Sequence, residues 1–191
     1  MPLQNRVTPR GELIAATARG MYMGNRGRLH DDQRRIVRAA NSMLWIICVL
    51  DFKGRRREVM TPGRYTELFF LDEAVALAAG HRPCAECRRS DYRAYLQAVR
   101  ISGAPELNER LRESRDADRI IRDVDALPDG VFVLVDDQPR LKWQGALRRW
   151  TPAGYVDPVP VSGVAPVVTP DLSVTALRNG YRPVVHPSVG A

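Results

Sequence analysis

Gly80-His81-Arg82-Pro83-Cys84-Ala85-Glu86-Cys87-Arg88-Arg89 sets two thiols at Cys-x-x-Cys spacing, with proline before the first and guanidinium groups on both sides. A tight turn at that spacing lets both sulfurs reach one tetrahedral ion, with Zn–S bonds of about 2.3 Å. Upstream, Asp72 is placed to cap a short helix that Gly80 stops. Downstream, Arg88 to Val99 has helical spacing, with Tyr92, Tyr95 and Leu96 as apolar anchors. Leu44 to Phe52 reads as a buried strand, Lys53-Gly54 as a turn, and Arg55 to Met60 as the returning strand of a hairpin. Tyr65 to Phe70 is a second extended piece. The expected fold class is α+β, a small mixed or antiparallel sheet with helices around the cysteine turn.

Further from the motif the reading continues in both directions. Residues 1–30 read as irregular or weakly extended, with Gly24-Asn25-Arg26-Gly27 either a plain turn or a close backbone approach to a ligand. Asp31 or Asp32 is placed to cap a helix running to Ala40. Leu107 to Leu127 reads as one long amphipathic helix, broken by Pro128-Asp129-Gly130. Val131 to Val135 is a strand, and Gln138 to Trp150 supplies one or two more. Thr151 to Pro170 is proline-rich and extended, and Thr169-Pro170 opens a last helix ending at Asn179-Gly180. This divides the chain into a metal-binding-type domain over 1–100 and, over 101–191, a helix with a β-rich, proline-rich extension packed on it.

The chain has 191 residues, 45% of them hydrophobic and 27% charged, which suits a soluble globular protein. Its longest apolar run, Met43 to Leu50, falls far short of the roughly 20 residues needed to span a bilayer. Arg6, Arg10 and Glu12 stand where a secretory leader would be apolar. The expectation is a cytoplasmic protein with no membrane partner. In a reducing compartment three cysteines point to metal, redox chemistry or burial rather than to disulfides. A net charge of +7 comes almost wholly from arginine, Lys53 and Lys142 being the only lysines. Arginine forks suit phosphates, although a GC-rich genome produces the same bias.

With those elements placed, Tyr65 to Cys87 resembles the second half of the Ada-type metal-binding domain of DNA methyl-phosphotriester repair. Phe69 and Phe70 match its paired aromatics, Ala78, Ala79 and Gly80 its helix end, and Arg82, Pro83, Cys84 and Cys87 the motif itself. Asp31 to Arg34 and the strand around Trp45 are similar to its N-terminal layout. The resemblance implies a zinc-containing α+β domain that touches the DNA backbone, with zinc on four cysteines, one of which accepts a methyl group. The family's first cysteine pair is absent here, since Lys53 to Thr61 contains no cysteine. Methyl transfer is therefore not carried over.

Cys84 and Cys87 are the first two candidate ligands for Zn2+. Cys48 with His81 or His30 would complete a Cys3His set. The competing readings are that Cys48, alternating with Ile46, Leu50 and Phe52, is a buried apolar cysteine, and that His81 fills the place of an aromatic ring. A redox role for the thiols at a helix start is a further reading, although the order of a thioredoxin-like unit is lacking. For DNA or RNA the candidate contacts are Arg26, Arg28 and His30 near the glycine turn, Arg55, Arg56 and Arg57 on the hairpin, and Arg82, Arg88 and Arg89 around the motif. Trp143 and Trp150 read as core anchors or base-stacking platforms.

Two functions follow. The first is a zinc-containing, or zinc-relic, nucleic-acid-binding protein related to alkylation-repair domains. The alternative is an enzyme on the same scaffold that acts on a nucleotide or another phosphorylated or acidic small molecule, through the Gly24 to His30 loop with Arg57 and Asp51 or Glu67. An adaptor built on the long charged helix is a third.

Overall fold

Strands of only three or four residues leave little alternation to read, and this is how residues 1–30 conceal half a sheet. In the computed structural model, which describes residues 1–55 and 58–190, β1 (Gln4–Val7), β2 (Leu13–Ala15), β3 (Tyr22–Asn25), β4 (Ile46–Cys48), β5 (Leu68–Phe70) and β6 (Arg82–Pro83) form one sheet. Their order is β2-β1-β5-β3-β4-β6. The sheet is mixed, with β1 parallel to β5, β4 parallel to β6, and the other neighbours antiparallel. The α+β expectation holds, and the irregular reading of residues 1–30 is corrected.

Among the described residues the hairpin expected over Leu44 to Met60 does not form. β4 stops at Cys48, which pairs with Met23 of β3, while its parallel pairing with β6 covers only Ile46 and Ile47. Leu44 and Leu50 lie exposed beyond its ends. Arg55 and Glu58 to Met60 are turn or coil, and Arg56 and Arg57 lie outside the described residues. The helix expected from Asp31 is instead a turn in which the Asp31 carboxylate accepts from the backbone N–H of Gln33 and Arg35. Such local bonds compete with helix formation.

Around the motif the sequence reading holds. The Asp72 carboxylate accepts from Val75 N–H at 2.9 Å and caps α1 (Glu73–Ala78), while Gly80 leaves it with φ +81°. α2 (Arg89–Val99) starts two residues beyond Cys87. α3 (Ala104–Asp116) is shorter than the spacing suggested. Ile120, Ile121, Val124 and Leu127 mimic a helical stripe, yet Ile121 belongs to β7 (Ile121–Asp123), and Val124 and Leu127 are buried in the turn beyond it. Lys142 Nζ donates to the carbonyls of Asp125 and Leu127 and fixes that turn.

The second half adds an antiparallel meander of β8 (Phe132–Val135), β9 (Gln138–Trp143), β10 (Ala146–Thr151) and β11 (Gly154–Pro160). β12 (Val164–Pro166) pairs with β7. β11 carries Pro158 and Pro160 at the sheet edge, where a missing N–H breaks no ladder. α4 (Asp171–Arg178) follows. Thr169 does not cap it, because its hydroxyl accepts from Phe132 N–H at 2.9 Å. Trp143 and Trp150 pack half-buried on the core.

One cluster of buried side chains runs from Val7 through Leu77, Tyr95 and Leu141 to Val189, on both sides of residue 100. Two buried carboxylates help to close it. Asp72 accepts from Tyr155 Oη at 2.7 Å and from His186 N–H at 2.9 Å. Glu73 accepts from Tyr181 Oη at 2.5 Å and Val184 N–H at 3.0 Å, and pairs with Arg88 at 2.9 Å. The C-terminal tail and the cysteine turn are thereby held to the same helix.

Candidate metal centre

Parallel pairing of β4 with β6 sets Ile46 opposite Arg82 and Ile47 opposite Pro83. Continued by one residue, that register carries Cys48 alongside Cys84, and Cys84 N–H donates to the Ile47 carbonyl at 2.9 Å. The turn from Cys84 to Arg88, closed by Arg88 N–H to the Cys84 carbonyl at 3.1 Å, returns Cys87 to the same place. The three sulfurs lie within 4.8 Å of one another. Cys84 is buried, while Cys48 and Cys87 are half-buried, and all three are free thiols. Reading Cys48 as an apolar filler is thereby replaced by a place beside the Cys-x-x-Cys pair.

Backbone dipoles converge on this cluster. Glu86 N–H donates to Cys84 Sγ at 3.4 Å, Cys87 N–H points to the same sulfur, and Val49 N–H points to Cys87 Sγ. Hydrogen bonds from the Cys48 and Cys87 thiols outweigh burial and, with those from the backbone, hold the Cys84 thiol well below its ordinary value. Cys48 holds its proton the more firmly because it donates to Cys84 and Cys87, and the neighbouring Cys84 pushes Cys87 upward too. Donors aimed at sulfur favour the thiolate, and the thiolate is the metal ligand. Three soft sulfurs in one shell can hold a metal ion, and this donor set suits zinc or another thiophilic ion. Among the described residues no His, Asp or Glu joins the three sulfurs.

His81 is not part of this group. It is fully buried, stacked edge-on against Phe70 with ring centroids 4.7 Å apart and tilted against Trp45 at 5.1 Å. Its Nε2 accepts from Arg26 Nε at 3.2 Å, so Nδ1 carries the proton. Burial, with the Arg26 and Arg115 charges beside it, holds the imidazole well below its usual value and therefore neutral. The aromatic-ring alternative describes it. His30 is also elsewhere, buried with Nδ1 at 2.6 Å from Thr66 Oγ1 and Nε2 at 3.2 Å from the Thr61 carbonyl.

The arginines expected to face nucleic acid separate into two groups. Arg26, Arg82 and Arg88 are 2%, 4% and 5% exposed, so they are interior groups. Arg82 donates to Asn108 Oδ1 from two nitrogens and to the Pro83 carbonyl, over the Tyr92 ring. Burial lowers its pKa, and the neighbouring Tyr92, Cys84 and Cys48 offset only part of that. Arg88 is held by Glu73 and Asp91 over the Tyr22 ring. Burial works against its charge, but the Glu73 hydrogen bond and charge outweigh burial and raise its pKa. Arg28, Arg55 and Arg89 remain exposed, and Arg55 pairs with Glu86 of the cysteine turn at 3.2 Å. Sequence reasoning did not single out Arg115, whose guanidinium lies 4.2 Å from the centre of the Trp45 ring. No periodicity signals that contact.

No protein family, curated protein or solved structure matches this chain. Among the described residues no helix is long and apolar enough to cross a membrane.

Proposed function

We propose that this chain is a zinc-thiolate protein that engages the nucleic-acid backbone beside its metal, as the resemblance to alkylation-repair metal domains implies. The observation that carries the reading is the convergence of Cys48, from β4, with Cys84 and Cys87 of the cysteine turn, their sulfurs within 4.8 Å of one another. Cys48, Cys84 and Cys87 would hold the zinc, which would supply a Lewis-acidic centre, and the chain's own N–H groups would stabilise the sulfur ligands. Support for the polyanion partner is the +7 net charge together with exposed Arg55 and Arg89, which flank the cysteine turn. Each is free to neutralise a phosphate, Arg55 by exchanging its weak surface pair with Glu86.

Two titrations test the reading. Cobalt(II) added to reduced apoprotein should give intense thiolate-to-cobalt charge-transfer absorption that saturates at one equivalent. Absence of that band removes the metal centre. Binding of zinc-loaded protein to duplexes of unrelated sequence should weaken steeply with salt, and Arg55→Ala or Arg89→Ala should each lower the log–log salt slope by about one. No duplex affinity at low salt removes the partner.

A further inference from the structure

A cleft of about 500 Å³ opens at the other end of β4 from the cysteines, where Trp45 precedes the strand. Its lining includes six arginines (Arg10, Arg26, Arg112, Arg115, Arg119 and Arg122) against three aspartates (Asp116, Asp118 and Asp171). Several of these charges are already matched. Arg10 pairs with Asp137, Arg112 with Glu109 and Asp116, and Arg122 with Asp171. Arg26 and Arg115 make no ion pair among the described residues, and the only carboxylate acting on either is Asp116, whose charge favours that of Arg115 without a direct contact.

Their contacts are instead with neutral groups. Arg26 Nε donates to His81 Nε2, and its Nη1 donates to the Gly11 carbonyl at 2.8 Å. Its Nη2 is buried and has no hydrogen-bond partner. Arg115 Nη1 donates to the Gly80 carbonyl at 2.9 Å. Both guanidinium carbons lie over the Trp45 ring, at 4.1 and 4.2 Å from its centroid. Gly80 is what admits Arg115, since a Cβ there would come within 2.2 Å of the Arg115 Cδ. Burial, with Arg115 beside it, pulls the Arg26 guanidinium down to about 9. A buried cation without an anion is costly, and a second cation next to it adds to the cost. An oxyanion in the cleft removes both penalties at once and takes up the unused N–H.

We infer that this cleft is an anion subsite for the phosphate of a small phosphomonoester, held by Arg26 and Arg115 with Arg119 at its rim. The excess of arginine over aspartate suits a dianion better than a single carboxylate, and the volume lies within the range of sites for mononucleotide-sized ligands. The inference is separate from the metal centre, because it uses none of the cysteines and none of the exposed arginines assigned to nucleic acid.

Calorimetric titration and thermal melting of the full chain with inorganic phosphate, with adenosine 5′-monophosphate and with a short duplex give the test. Phosphate should raise the melting temperature, and the monophosphate should bind with one site per chain. Arg115→Gln should weaken it at least tenfold, and its ligand-free melting temperature is measured beside the parent's because the substitution also takes the guanidinium off the Trp45 ring. Arg93→Gln, exposed on α2, should bind as the parent does, and binding should persist in Cys84→Ser protein without metal. Should Arg115→Gln fold poorly, Arg119→Gln carries the same titration with an expected loss of several-fold. No phosphate or monophosphate binding, undiminished binding in both variants, or binding of the duplex alone would each overturn the assignment.

Discussion

His81 shows how one residue combines packing and charge. It sits where the resembled domain has an aromatic ring, and here the imidazole accepts from Arg26 while remaining neutral. Its folded pKa lies below the unfolded value of about 6.5. Below that pH the unfolded chain therefore binds a proton that the folded chain refuses. The stability due to neutral His81 is complete above about pH 6.5 and declines as pH falls, by up to about 1.4 kcal/mol per unit. His81→Gln keeps an acceptor for Arg26 without the titration. Urea unfolding between pH 7.5 and 5 should show a shallower pH dependence in that variant than in the parent, and identical slopes would contradict the account. Gly80 makes a second prediction at this scale. Alanine there meets a φ of +81° and the Arg115 stem, so Gly80→Ala should destabilise by about 1–3 kcal/mol in the same assay.

Among the elements, α1 is the joint between the halves of the chain. Asp72 caps it and binds the C-terminal tail, while Glu73 reaches both that tail and Arg88 at the start of α2. The Glu73–Arg88 pair is 1% and 3% exposed, in the range where losing one partner strands the other. Arg88→Met should cost about 3–5 kcal/mol by chemical denaturation. Arg89→Met, one residue further and exposed, should cost less than about 0.5. α1, α2 and strands β8 to β10 were legible because caps, glycine stops and apolar runs are local signals. Short β1 to β3 were not, because their pairing is set by partners far along the chain. The overlong reading of α3 has the same origin, for Ile121 obeys β12 rather than its own neighbours.

At the scale of the whole molecule, the metal site depends on a parallel β4–β6 pairing that no local pattern announces. The Cys-x-x-Cys turn was legible, whereas Cys48 was open between ligand and core filler, and only the register brings its sulfur beside the other two. The arginines divide by depth for the same reason, since burial is a property of the assembled sheet and helices. An ion joining three positions in the fold stabilises the folded state by mass action. Free metal at a hundred times its dissociation constant contributes about 2.7 kcal/mol. For a chain of this size that corresponds to roughly 5–10 °C, so chelation should lower the melting temperature by that amount in zinc-loaded protein and leave Cys84→Ser protein unchanged.

The most direct measurement is metal content per chain, by mass spectrometry of purified protein beside its Cys48→Ser variant. The account predicts one zinc in the parent and a large loss in the variant, because the third sulfur comes from β4. A parent without stoichiometric metal, or a variant that keeps its full complement, would contradict it.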